Sequence, residues 1–161
     1  MELYLLRHGI AESARPGMKD AERALTEEGR VKLRRVLKRA KEAGVEPDLI
    51  LSSPYRRATE TADLAAAALA YRGKIVQTPA LAPNASPFEA WEEIRRRNRQ
   101  SSVLLSSHEP LMSALMAFLL GNPAMQVDMK KAALARVDCE RLDPEPEAVL
   151  KWLLTPATAG V

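Results

Sequence analysis

A chain of 161 residues favours one domain, and 47% hydrophobic with 28% charged residues is the make-up of an ordinary globular core. Its one cysteine, Cys139, excludes an intrachain disulfide and fits a reducing compartment, and a net charge of +3 favours acidic or phosphorylated partners. No apolar run approaches the ~20 residues that cross a bilayer, and the run at 3–6 is too short for a signal peptide, so the expectation is a soluble, cytoplasmic, single-domain protein over residues 1–161.

Residues 2–6 are an apolar run that stops on Arg7, His8 and Gly9, which reads as a buried strand feeding a turn. Residues 9–25 mix Gly, Pro, Ser and charges and read as a loop. Thr26 is placed to cap a helix whose first turn holds Glu27 and Glu28, matching the positive end of the dipole. That helix is expected to run to Gly44 with Val31, Leu33, Val36, Leu37 and Ala40 on its buried face. Its other face carries Arg30, Lys32, Arg34, Arg35, Lys38, Arg39 and Lys41, which a solvated surface explains more simply than a nucleic-acid site.

Leu49, Ile50 and Leu51 make a second strand. Ser53 as cap and Pro54 at the first helical position then predict a helix reaching Leu69. A third strand is expected at 74–77 and a proline-rich loop at 79–87. A helix over 88–97 would bury Phe88, Trp91 and Ile94 and end in a solvated Arg95-Arg96-Arg97 turn. A fourth strand at 103–105 breaks at Ser106-Ser107-His108-Glu109-Pro110, before an apolar helix over 111–120. Late strands are read at 132–139 and 149–154, joined by Asp143-Pro144-Glu145-Pro146. The alternation of strand and helix predicts an α/β three-layer sandwich, a mostly parallel central sheet with helices on both faces.

In such a sheet the C-terminal ends of parallel strands share one edge, where ligands bind. Arg7-His8-Gly9, Ser52-Ser53-Pro54 with Arg57, and Ser107-His108-Glu109-Pro110 would therefore converge. The chain has two histidines, and both follow a predicted buried strand directly. Two imidazoles and two guanidiniums around a cleft suit an oxyanion. Two His and one distant Cys do not supply a structural zinc site. The nucleotide-type glycine loop and the Gly-x-Ser-x-Gly elbow are both missing from the sequence.

Arg7-His8-Gly9, then Ser53-Pro54-x-x-Arg57-Ala58-x-x-Thr61, then Ser107-His108 resemble the histidine phosphatase (phosphoglycerate mutase-like) superfamily. The short length, Ala11 after Arg-His-Gly-x, the Leu25-Thr26-x-x-Gly29 helix entry and the Ser-His-x-Pro form resemble its SixA-type phosphohistidine phosphatase branch, over roughly residues 2–154. The resemblance implies a phosphoglycerate mutase-like fold and a role in signal transduction. It implies that His8 is the nucleophile forming a phosphohistidine intermediate, and that Arg7, Arg57 and a protonated His108 bind the phosphoryl oxygens. It implies no metal and no other cofactor. The partner implied is a phosphorylated protein such as a histidine phosphotransfer domain, with phosphate or oxyanions in the pocket and neither nucleic acid nor membrane.

Ester-cleaving members of the family resembled here carry a carboxylic acid in the loop after the third strand. Here that loop, 79–87, has none, and Glu12, Asp20 and Glu89 are the alternatives. An alkoxide needs a proton on leaving more than an imidazole does, so the missing acid favours N–P over O–P cleavage. The competing readings are a phosphatase of small esters or of broad specificity, a non-catalytic phosphate-binding module, and a nucleic-acid binder using the basic helix.

Overall fold

A computed structural model describes residues 1–160. Its centre is a six-stranded sheet: β1 (Glu2–Arg7), β2 (Leu49–Ser52), β3 (Val76–Gln77), β4 (Ser102–Ser107), β5 (Leu134–Arg141) and β6 (Glu147–Leu154), in the order β3-β2-β4-β1-β5-β6. The first four strands in that order run parallel, and β5 and β6 are antiparallel. The expected mostly parallel sheet is present: three of its five pairings are parallel, and β5 alone runs against the other strands. Residues 142–146 between β5 and β6 are too few for the crossover that a parallel pair needs.

Strand alternation sorts the core into two layers. Leu3 and Leu5 face α3 (Pro87–Arg95) and α4 (Leu111–Leu119), packing with Trp91, Ile94 and Leu115. Tyr4 and Leu6 face α1 (Glu27–Glu42) and α2 (Arg56–Ala68), packing with Leu33, Leu37 and Ala62. Both layers are fully buried at β1, where a Leu→Ala change would cost ~2–5 kcal/mol. This rigidity holds the polar ends of β1, β2 and β4 in place.

Thr26 caps α1 as expected, its Oγ1 accepting from Gly29 N at 3.0 Å, and Gly44 takes the left-handed conformation at φ +78°. Val31 is 39% exposed; it lies roughly 200° around the helix from Leu33 and off the buried stripe. The second helix starts at Arg56 rather than at Ser53-Pro54. Ser53, Pro54 and Tyr55 instead form a turn in which Tyr55 N donates to Ser53 Oγ at 3.2 Å.

The third strand shortens to Val76–Gln77. In α3 the cap is Ser86, whose Oγ accepts from Glu89 N while Glu89 Oε2 accepts from Ser86 N. That phase turns Phe88 outward, 59% exposed, and only Trp91 and Ile94 of the expected trio are buried. The Arg95–Arg97 turn is not simply solvated. Arg95 Nε donates to Leu142 O at 2.8 Å, and Arg96 and Arg97 both pair with the buried Glu93. Cys139 lies in β5 and is buried. No helix among the described residues is long and apolar enough to cross a membrane.

Candidate active site

β1 and β4 are neighbours with Arg7 opposite Ser107, so the next residue of each chain segment, His8 and His108, emerges at the same height. Their ring centroids are 5.0 Å apart. β2, on the other side of β4, ends at Ser52 and leads through the Ser53-Pro54-Tyr55 turn into α2, whose second residue is Arg57. Arg57 Nε donates to His8 Nε2 at 3.3 Å. His8, Arg57 and His108 are 7%, 5% and 1% exposed, which removes most of the competing water from around them.

The loop that carries His8 is held from several sides. His8 N donates to Ser107 O at 2.9 Å, and its carbonyl accepts from Ala132 N at 3.0 Å. Gly9 N donates to Thr61 Oγ1, whose own hydroxyl donates to Arg57 O, so Thr61 ties the His8 loop to the first turns of α2. Gly29, in the first turn of α1, lies against Ile10: a Cβ there would sit 2.3 Å from Ile10 O. Only glycine permits that approach.

The two imidazoles are wired in opposite senses. His8 Nδ1 lies 2.7 Å from Gly9 O. A carbonyl only accepts, so Nδ1 carries the proton and Nε2 keeps its lone pair. His108 Nε2 lies 2.8 Å from Ser53 Oγ. Ser53 Oγ already accepts from Tyr55 N, and among the described residues its proton has no acceptor other than His108 Nε2. That places the His108 proton on Nδ1, a buried atom with no partner among the described residues. One ring offers a lone pair, the other a free N–H.

Arg57 is also gripped from outside. Its Nη1 donates to Asp20 O at 2.9 Å and its Nη2 to Asp20 Oδ2 at 3.0 Å. Its planar group lies against Tyr55, 5.1 Å from the ring centroid, and Tyr55 in turn stands 5.3 Å from His108. Arg7 stands beside this cluster without bonding to it. Its Nη1 donates to Met129 O at 2.7 Å, and its buried Nε has no partner among the described residues. Its charge nevertheless acts on both imidazoles. The structure therefore joins His8, Arg57 and His108 by direct contact and sets Arg7 alongside.

Of the three alternative acids, Asp20 alone touches the cluster. Its bonds to Arg23 and Arg57 hold its carboxyl below the usual range, which suits an ion-pair partner and not a proton donor. Glu12 accepts from Ala24 N, and Glu89 is occupied in the α3 cap. Ser53 as a partner of His108, Thr61 as a tie and Asp20 as the counter-ion of Arg57 were not assigned these contacts from the sequence. The Ser53–His108 pair had a signal, since both follow strands that share an edge; the Asp20 contact, across 37 positions, had none.

Burial, chiefly, pushes the pKa of His8 down to about 4, with Arg57, Arg7 and Lys131 adding to the effect and the Gly9 bond opposing it. Burial likewise lowers His108 to about 3, aided by His8, Arg57 and Arg7 and opposed by Asp20. With only the chain's own charges around them, both rings are neutral near pH 7; the expected protonated His108 belongs to the pocket with an anion in it. A phosphoryl dianion among them would supply the missing counter-charge and favour protonation of His108. No group of three or more His, Cys, Asp or Glu suited to a metal ion occurs among the described residues.

The sequence model described as "Histidine phosphatase superfamily (branch 1)" matches residues 3–82. An uncharacterized protein of Picosynechococcus sp. is 33% identical, over 96% of this chain and 99% of its own length. The solved structure of the protein histidine phosphatase SixA complexed with tungstate superposes with a TM-score of 0.85 at 27% identity, over 98% of each chain. A mycobacterial glucosyl-3-phosphoglycerate phosphatase shares the fold alone, with a TM-score of 0.72 at 18% identity over 93% of this chain and 96% of its own. Matched in sequence through the first two motifs and in structure over nearly its whole length, this chain belongs to the histidine phosphatase superfamily, in its SixA-type branch.

Proposed function

We propose that this protein is a metal-independent phosphohistidine phosphatase that acts on a phosphorylated protein through a phosphoenzyme at His8. The observation that carries the reading is the tautomer of His8. The Nδ1–H bond to Gly9 O leaves Nε2 unprotonated, its lone pair accepting from Arg57 Nε at 3.3 Å beside the second imidazole. A nucleophile of low basicity is deprotonated at pH 7, and here it stands where cations gather phosphoryl oxygens.

In the first step His8 Nε2 attacks phosphorus, and the substrate's N–P bond breaks with its electron pair returning to the leaving nitrogen. If the substrate ring is already protonated, it departs as neutral imidazole and needs no acid. Arg7, Arg57 and the Nδ1–H of His108 take the equatorial oxygens. In the second step water attacks phosphorus, the P–Nε2 bond breaks, its electron pair returns to His8, and the water proton leaves with phosphate or solvent.

The loop after β3 offers a leaving group no acid, which favours an N–P substrate. The loop over 79–87 has no carboxylate, Glu89 is tied to the α3 cap, and Asp20 is held ionised against Arg57. An alkoxide, akin to hydroxide with its conjugate-acid pKa of ~15.7, leaves poorly without a proton, whereas imidazole, with a conjugate-acid pKa of ~6.5, leaves well. The name of the SixA relative supports the same substrate. The alternative is a phosphatase of small esters, supported by the fold shared with the glucosyl-3-phosphoglycerate enzyme. A substrate panel separates them: free phosphohistidine and a phosphorylated histidine phosphotransfer domain against sugar phosphates, with His8→Ala as control. Faster turnover of the N–P substrates, lost in His8→Ala and unaffected by chelator, is expected. Faster turnover of sugar phosphates would overturn the reading.

A further inference from the structure

Beside the cage, a groove of about 660 Å³ starts at Arg7 and runs between α1 and the segment before β5. Lys32 and Arg35 of α1 line one wall and Lys130 and Lys131 the other. Ile10, Pro156 and Ala157 supply apolar floor, and no carboxylate or aromatic side chain lines it. Lys32 pairs with Glu28 and Lys130 with Asp128, exposed contacts that water screens. Arg35 and Lys131 have no carboxylate partner among the described residues.

The groove is fixed to the cage. Arg7 Nη1 bonds Met129 O and Ala132 N bonds His8 O, so Lys130 and Lys131 sit on a strap anchored at both ends to the end of β1. Lys131 is near enough for its charge to act on His8. The groove has room of about 660 Å³ and, in Arg35 and Lys131, positive charge with no carboxylate partner among the described residues, for what is attached to a phosphoryl group in the cage.

We propose that this groove seats an acidic stretch of the substrate protein, carboxylates flanking the phosphohistidine, while the phosphoryl group enters the cage. This inference rests on the phosphohistidine reading above. A protein suits the groove better than a nucleic acid, because no aromatic platform is present for base stacking and the floor is apolar. Charge complementarity of this kind raises encounter rates by ~10–10³-fold and weakens with salt.

The test uses two synthetic peptides, each bearing one phosphohistidine, one flanked by Asp and Glu and one by Ser and Asn, with free phosphohistidine as the small probe. The proteins are the wild type, Arg35→Glu/Lys130→Glu and the milder Arg35→Gln/Lys130→Gln, all at exposed positions. The wild type should prefer the acidic peptide by ~10–100-fold in kcat/KM, mostly through KM, and lose that preference at high salt. The double reversal should abolish the preference, the glutamine pair should reduce it, and free phosphohistidine should turn over equally in all three. Equal use of both peptides by the wild type, or a preference that survives the reversal, overturns the groove assignment while leaving the phosphohistidine reading intact. Failure of the wild type on all three N–P substrates overturns both. Stronger inhibition by an oligouridylate than by an oligoglutamate of equal charge would overturn the choice of a protein occupant.

Discussion

The ends of β1 and β4 differ more than their sequences suggest. Each is a buried parallel strand finished by a histidine, and the two rings stand 5.0 Å apart. At β1 the backbone takes Nδ1–H and leaves a lone pair; at β4 a serine hydroxyl takes Nε2 and leaves an N–H. The lesson is that residue type and strand position bring two imidazoles together, while the second hydrogen bond of each divides the labour. A lone pair can attack phosphorus. An N–H can only hold an oxygen.

That division predicts unequal losses. His8→Ala should lower phosphate release to background, ~10⁴-fold or more, as removal of a nucleophile does. His108→Ala should cost ~10²–10³-fold, the usual effect of losing one oxyanion donor. Steady-state release of inorganic phosphate measures both; equal losses, or activity retained in His8→Ala, would break the distinction.

The loop at β1 also depends on α1 in a way that the β4 end does not. Gly29→Ala forces a Cβ against Ile10 O and should destabilise the fold by ~3 kcal/mol, lowering Tm by roughly 6–12 °C. In the nuclear magnetic resonance spectrum, the His8 ring signals should shift more than those of His108. A Tm unchanged within error would show that α1 and the His8 loop move apart freely.

Acid should expose the cost of burying neutral rings. The pKa of His8 is about 4 when folded, below ~6.5 when unfolded. Between those values the unfolded chain binds a proton that the folded chain does not, so stability is lost as pH falls from ~6.5 toward 4. For His8 this amounts to ~3 kcal/mol. Urea denaturation across that range checks it; a flat profile would mean that the rings are not desolvated. Adding inorganic phosphate should flatten the slope by favouring protonated His108.

The smallest effect concerns Arg57, shared between the cage and the loop. Asp20 is about half exposed, so releasing Arg57 from it is worth little. Asp20→Asn should tighten vanadate inhibition by only ~2–5-fold. A weakened inhibition would mean that Asp20 positions Arg57 for binding instead of competing for it.

Much of this was legible in the sequence because it is local. Apolar runs at β1, β2 and β4 announce buried strands, Thr26 and Gly44 bracket α1, and the polar motifs sit at strand ends. What stayed hidden depends on distant partners. Ser53-Pro54 has the composition of a helix start, yet the hydroxyl of Ser53 is taken up with His108 and the helix begins at Arg56. Phe88 fits an apolar position until the Ser86 cap sets the phase and turns it outward. Asp20 reaches Arg57 across the long loop, and no periodicity in residues 9–25 signals it.

Four groups close around one tetrahedral anion, and a crystal structure with vanadate tests that most directly. Vanadate is expected within bonding distance of His8 Nε2, with its oxygens on Arg7, Arg57 and His108 Nδ1 and the Asp20 carboxylate moved off the guanidinium. Vanadate held away from His8, with Arg57 still on Asp20 and His108 Nδ1 still unpartnered, would contradict it.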